Sequence, residues 1–359
     1  MNGAPERRAQ VVGTGLIGGS IALALRATGW HVTGADRDPS RSDEAVERGV
    51  LDAVGHDPAA AVTFVATPVG SIASAVSEAL ATTSGLVTDV GSVKAPLRAL
   101  MADPRYVGGH PMAGSELEGL AGANADLFAG RTWVLTPVAG TDDLAFTELR
   151  AIISAFGAEV VALAPERHDL LVALVSHVPH LTAATLMRLA EERSTEHRVL
   201  LRLAAGGFRD MTRIAAGHPG IWPDICAENR DAIVAELDEL IGSLGEVRDL
   251  VAAGDRDGLS TLLEAARRAR TNLPARVATP ELLTELRVPI PDRKGEVARL
   301  TTVAAEIDVS LVDIEIAHSA EGDRGVLILL VEAAEAPRLV TALEAEGYVP
   351  SASPLEAGP

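Results

Sequence analysis

Two short stretches hold side chains that could do chemistry. The first is Val107-Gly-Gly-His-Pro-Met-Ala-Gly114. His110 stands there between a glycine pair and Pro111, which fixes a loop around it. An imidazole so placed can take a proton from a substrate hydroxyl as hydride leaves the same carbon. The second is Asp89-Val-Gly-Ser-Val-Lys94. Its Ser92 can share that hydrogen bond. Each also has a plainer reading: His110 as a core-edge histidine, and Ser92 as the N-cap of a helix through Val93–Arg98.

A third stretch, Val11-Val-Gly-Thr-Gly-Leu-Ile-Gly18, is built to hold a phosphate. Gly13 permits a tight turn, Gly15 lets the backbone approach a diphosphate, and Gly18 lets a helix pack on its strand. Leu16 and Ile17 open that helix, whose free N–H groups face the anion. The next strand, His31–Ala35, ends in Asp36, where an acid would accept the ribose hydroxyls of NAD. Arg37 beside it would partly offset repulsion of a 2′-phosphate.

Further along, His177 and His180 share a helical face in Ser176-His-Val-Pro-His180. No nearby acid or cysteine completes a metal site, so an anion or keto-acid pocket fits them better, with a core pair as the alternative. Gly206-Gly-Phe-Arg-Asp-Met-Thr-Arg-Ile-Ala215 brings arginine forks that match a carboxylate. Arg209 and Asp210 can pair locally, leaving Arg213 for a ligand. Trp222 and Asn229 could wall the same cleft, or Trp222 could be core.

The elements that must position these groups are legible as periodicity. From residue 9 to 163, short apolar strands alternate with helical stretches, and Thr67-Pro68, Ser92 and His110 fall at strand ends. Such alternation implies an α/β fold with a Rossmann-type, mostly parallel sheet, whose ligands bind at the strands' carboxyl ends. Residues 164–271 read as an all-helical second domain. Its apolar positions, among them Leu170, Leu171, Leu174, Val175 and Val178, exceed the needs of one exposed helix, so neighbouring helices or a second subunit should cover them. Residues 272–280, with two prolines, read as a linker. Residues 281–354 follow the order βαββαβ of a ferredoxin-like domain, the last strand starting at Tyr348-Val349.

Composition narrows the partners. With 359 residues, 47% hydrophobic and 23% charged, the chain is of the soluble globular type with room for several domains. A formal charge of −19 argues against nucleic acid or an anionic membrane. Cys226 is the only cysteine, which excludes an internal disulfide and suits a reducing cytoplasm. No signal peptide or membrane span is expected.

Gly13–Gly18, Asp89–Lys94, Gly108–Gly114, Ser176–His180 and Gly207–Ile214, in that order, resemble the prephenate dehydrogenase family, which includes arogenate and cyclohexadienyl dehydrogenases. The resemblance covers residues 9 to about 255. It implies NAD-dependent oxidation of a cyclohexadienol, with loss of CO2 to give 4-hydroxyphenylpyruvate. His110 would accept the hydrogen bond of the C4 hydroxyl, with Ser92 helping to hold both. Arg213 would bind a substrate carboxylate, and His177 and His180 would shape the pocket. On arogenate, the same chemistry would give tyrosine, and an acid in Ser115-Glu-Leu-Glu118 could pair the amine; the alternative from another class is a catalytically silent sensor of dinucleotide and amino acid, against which His110, Ser92 and Arg213 count. The C-terminal block resembles an ACT domain, with Pro291-Asp-Arg-Lys-Gly295 similar to its ligand loop, although Lys294 stands where a proline is common. A homodimer regulated by tyrosine is the expectation.

Overall fold

The computed structural model describes residues 7–354 except 115, 116, 118, 195–198, 272–282, 292, 294 and 319–323. The expected linker, the acids Glu116 and Glu118, and Lys294 lie outside the described residues. By internal contacts the chain divides into two units, residues 1–248 and 249–359.

The first unit grows from β1 (Arg8–Val12), which pairs in parallel with β2 (His31–Ala35) on one side and β4 (Val62–Val65) on the other. Val11 stands opposite Gly34 and Phe64 in that register. Helix α1 (Leu16–Ala27) joins β1 to β2, and α2 (Pro39–Glu47) leads to the short β3 (Ala53–Val54). Helix α3 (Val69–Thr82) joins β4 to β5 (Leu86–Asp89), and β6 (Tyr106–Pro111) follows. Then come β7 (Thr132–Thr136), α4 (Asp143–Ala155) and β8 (Glu159–Ala162). The eight-stranded sheet has the order β3-β2-β1-β4-β5-β6-β7-β8. It is parallel except where β7 runs against β6. All four residues of β4 are buried, as expected of a strand covered on both faces. The order reverses at β1, so a crevice opens at the carboxyl ends of β1 and β4.

Helices then run from α5 (Pro165–Val172) through a π-helical turn (Ala173–His177) into α6 (Val178–Ser194). Pro179 cannot donate to the ladder, and the wider turn lies immediately before it. Helices α7 (Gly206–Thr212), α8 (Trp222–Glu228) and α9 (Arg230–Ala253) follow. Among the described residues, Pro165–Ser194 is long and apolar enough to cross a membrane by length and composition, which the sequence reading did not anticipate. Its buried residues include His168, Asp169 and His177, all polar. Val178 is buried as well, whereas Leu170, Leu174 and Val175 are exposed in the single chain.

The second unit holds α10 (Arg256–Thr271) and an antiparallel sheet. Its elements are β9 (Leu283–Pro291), α11 (Glu296–Glu306), β10 (Leu311–His318), β11 (Arg324–Glu332), α12 (Ala336–Ala345) and β12 (Ser351–Pro354). The sheet order is β10-β11-β9-β12. Leu286, Val288, Leu327 and Leu329 point inward against Leu300 and Leu339 of the two helices. The last strand begins at Ser351, later than expected. Tyr348 is instead buried under the sheet, where its hydroxyl donates to Glu296 at 2.7 Å.

Candidate active site

The glycine turn has the geometry its sequence demands. Gly13 lies at φ +96°, and a Cβ on Gly18 would strike the Gly13 carbonyl oxygen. A Cβ on Gly15 would meet nothing within 4 Å, which leaves the space a diphosphate needs at the start of α1. Leu16 and Ile17 form the first turn of α1, and Ile17 packs on the core. Asp36 is tied to this turn: its Oδ2 accepts the Thr14 N–H at 2.9 Å, and its Oδ1 accepts the Asp38 N–H at 3.0 Å. Arg37 is exposed. At the end of β4, Pro68 caps α3, and the hydroxyl oxygen of Thr67 is buried with no hydrogen-bond partner. Open space beside Gly15, an orphaned hydroxyl and a terminal acid together suit a bound dinucleotide.

His110 is the residue before the last of β6, on the same edge of the sheet, and it pairs with Val134 of β7 where a loop was expected. Its Nδ1 lies 2.8 Å from Nε2 of His168, and Nδ1 of His168 lies 2.7 Å from Oδ1 of Asp169. Burial first, then the neighbouring His168, Lys94 and His177, push the His110 pKa well below its ordinary value. The imidazole is therefore neutral at pH 7 and able to act as a base.

The loop before it rests on a buried ion pair. Lys94 is wholly buried and bonds Asp89, whose other oxygen accepts the Tyr106 hydroxyl at 2.7 Å. Burial lowers the Lys94 pKa, and the Asp89 carboxylate opposes that shift. Ser92 is half-buried on this loop. It does not cap a helix: only a 3-10 turn, Ala95–Leu97, follows, and Lys94 is its N-cap residue. Asp169 serves that end instead, accepting Lys94 N–H at 2.8 Å and Ala95 N–H at 2.7 Å.

On the helical side, His177 and His180 both face Trp222. The His180 ring stacks on it with centroids 3.6 Å apart, and His177 meets it edge-on at 6.2 Å. Asn229 Nδ2 donates to the Asp169 carbonyl at 2.9 Å and lies 3.2 Å from His177 Nδ1. Burial lowers the His177 pKa to about 4. Arg213 is exposed on the turn after α7, and that turn packs on α6, which carries His180. The local pair expected between Arg209 and Asp210 is replaced by a bond from Arg209 Nε to the Ala204 carbonyl at 3.1 Å.

Sequence reading missed His168 and Asp169. They end a run of four polar residues, Glu166–Asp169, that opens a helix, and nothing in that spacing ties them to residue 110. The burial of Lys94 is not visible in the sequence, where it only closes the Asp89–Lys94 motif.

A glycine turn answered by Asp36, with a neutral histidine on the same sheet edge, defines a dinucleotide-dependent dehydrogenase of the Rossmann type. Family models give the particular kind. Residues 21–162 match "Prephenate dehydrogenase, nucleotide-binding domain", and residues 164–265 match "Prephenate dehydrogenase, dimerization domain". A prephenate dehydrogenase of Bacillus subtilis is 34% identical, over 88% of this chain and 90% of that protein. The solved prephenate dehydrogenase of A. aeolicus, in complex with hydroxyphenyl propionate and NAD+, superposes with a TM-score of 0.70 at 29% identity. It covers 75% of this chain and 99% of its own. An arogenate dehydrogenase from Synechocystis gives 0.65 at 31% identity, covering 73% and 98%. The chain belongs to the prephenate dehydrogenase family.

Proposed function

We propose that the chain oxidises and decarboxylates prephenate to 4-hydroxyphenylpyruvate with NAD+, a step of tyrosine biosynthesis. What supports this reading most is His110, a neutral imidazole at the sheet edge that carries the glycine turn. NAD+ supplies the hydride acceptor. Gly13, Gly15, Gly18, Asp36, Thr67 and Pro68 are the residues that would hold it. His110 accepts the hydrogen bond of the C4 hydroxyl, and Ser92 helps to hold both groups. Arg213 pairs a substrate carboxylate. His177, His180 and Trp222 wall the pocket around the rest of the substrate.

In this plan residues 9–163 bind cofactor, and 164–271 complete the substrate cleft and pair two copies. The exposed Leu174, Val175 and Leu203 are apolar surface that a partner copy would cover. Residues 281–354, with their βαββαβ order, are read as an ACT-like unit sensing tyrosine. Tyrosine titration of the full chain, with and without residues 281–359, tests that part.

The activity is tested by mixing the protein with NAD+ and either prephenate or arogenate, and following reduced nicotinamide. Prephenate is expected to be the better substrate. Higher kcat/KM for arogenate would move the assignment to tyrosine formation, and no turnover of either would overturn it.

A further inference from the structure

We propose that His168 and Asp169 are positioning residues that hold His110 in the tautomer with its lone pair on Nε2 and share the charge when it takes a proton. The proposal rests on the activity proposed above.

The argument starts at the carboxylate. An ionised carboxylate only accepts hydrogen bonds. Asp169 Oδ1 faces His168 Nδ1 at 2.7 Å, so Nδ1 of His168 carries the hydrogen. With a single hydrogen on its ring, His168 then has its lone pair on Nε2. That nitrogen lies 2.8 Å from His110 Nδ1, which must therefore be the donor. The lone pair of His110 is left on Nε2, the only ring nitrogen still able to receive a substrate proton. With one hydrogen on each ring, the direction of every hydrogen along this line follows from Asp169.

The line is also fixed in place. His168 is wholly buried. Asp169 is anchored by the N–H groups of Lys94 and Ala95, and its own carbonyl accepts from Asn229. The groups facing His110 come from separate elements: His168 from α5, Lys94 from the loop after β5, and His177 from the π-helical turn. An imidazolium formed among Lys94 and two histidines needs an anion, and Asp169 stands behind His168 to provide it.

The proton balance fits a reversible store. The electron pair of the substrate C–H bond leaves as hydride to NAD+, and the hydroxyl proton passes to His110 Nε2. The pair of the bond to the departing CO2 enters the ring. The ring oxygen then recovers its proton as a phenol, so His110 ends neutral and no proton is consumed. Between those events His168 accepts from the charged ring through Nδ1–H.

Three full-chain proteins test this: wild type, His168→Leu and His168→Gln. Leucine removes the acceptor. Glutamine's amide oxygen can accept from Nδ1 but cannot take a proton. His168→Leu should lower kcat by roughly 10²-fold, the range of a positioned acid–base group, while KM for prephenate and NAD+ affinity hold. His168→Gln should recover part of that loss. In 15N spectra, wild-type His110 should carry its hydrogen on Nδ1, and the leucine variant should lose that preference. Wild-type kcat in His168→Leu, or a hydrogen on Nε2 of wild-type His110, would overturn the proposal. The spectrum needs no substrate, so it decides the tautomer even if prephenate proves not to be turned over, and the wild-type and glutamine spectra decide it if the leucine variant does not fold.

Discussion

Lys94 bonds Asp89 with neither side chain exposed, and the pair lies beneath the glycines that precede His110. A Cβ on Gly108 would come within 3.2 Å of Lys94 Cδ, so the glycine makes room for the lysine stem under β6. The paired acid also receives the N–H of Gly91 and the hydroxyl of Tyr106, joining the loop of Ser92 and the strand of His110 to one buried charge.

Removing the lysine should therefore unseat both the loop and the strand. A buried charge left without its partner costs about 3–5 kcal/mol. Lys94→Met should show that loss in denaturant unfolding, and a change below about 1 kcal/mol would mean that the pair is relaxed or hydrated.

His110→Asn keeps a polar side chain but removes the base. Turnover should fall by roughly 10²–10⁴-fold. NAD+ affinity should stay as it is, measured by titration. Turnover like wild type would remove His110 from the reaction.

Arg213→Ala should raise KM for prephenate more than it lowers kcat. Losing a charge-assisted bond to a carboxylate costs about 1.5–3 kcal/mol. Steady-state kinetics at saturating NAD+ give the answer, and an unchanged KM would make the arginine structural.

Asp36 should set cofactor choice. Its carboxylate already holds Thr14 of the glycine turn, so it cannot swing aside for a 2′-phosphate without loosening that turn. kcat/KM should favour NAD+ over NADP+. Equal values would show that the exposed Arg37 outweighs the repulsion.

His177 should make the fold acid-sensitive. An unfolded histidine protonates at about 6.5. In the fold burial lowers that to about 4. Between those values the unfolded chain binds more protons, so stability falls as pH drops from about 6.5 towards about 4. Thermal melts across that window should slope downwards on acidification, and less so in His177→Gln. Equal slopes in the two proteins would exclude His177 as the cause.

What the sequence determined by itself was local. Gly13, Gly15, Gly18 and Asp36 act within one strand–helix–strand unit, and period-two and period-3.6 patterns follow from the backbone of each element. The strand end bearing His110 was legible for the same reason. What only the tertiary structure decided were contacts across long separations. Asp169 caps a turn 75 residues away and orders the proton on His168, which in turn meets His110. Burial of Lys94 and the stacking of His180 on Trp222 are of that kind too. Spacing along a chain fixes which side chains share a face. Which face meets which, and so which polar groups lose water and need partners, is decided only when the sheet and the helices pack.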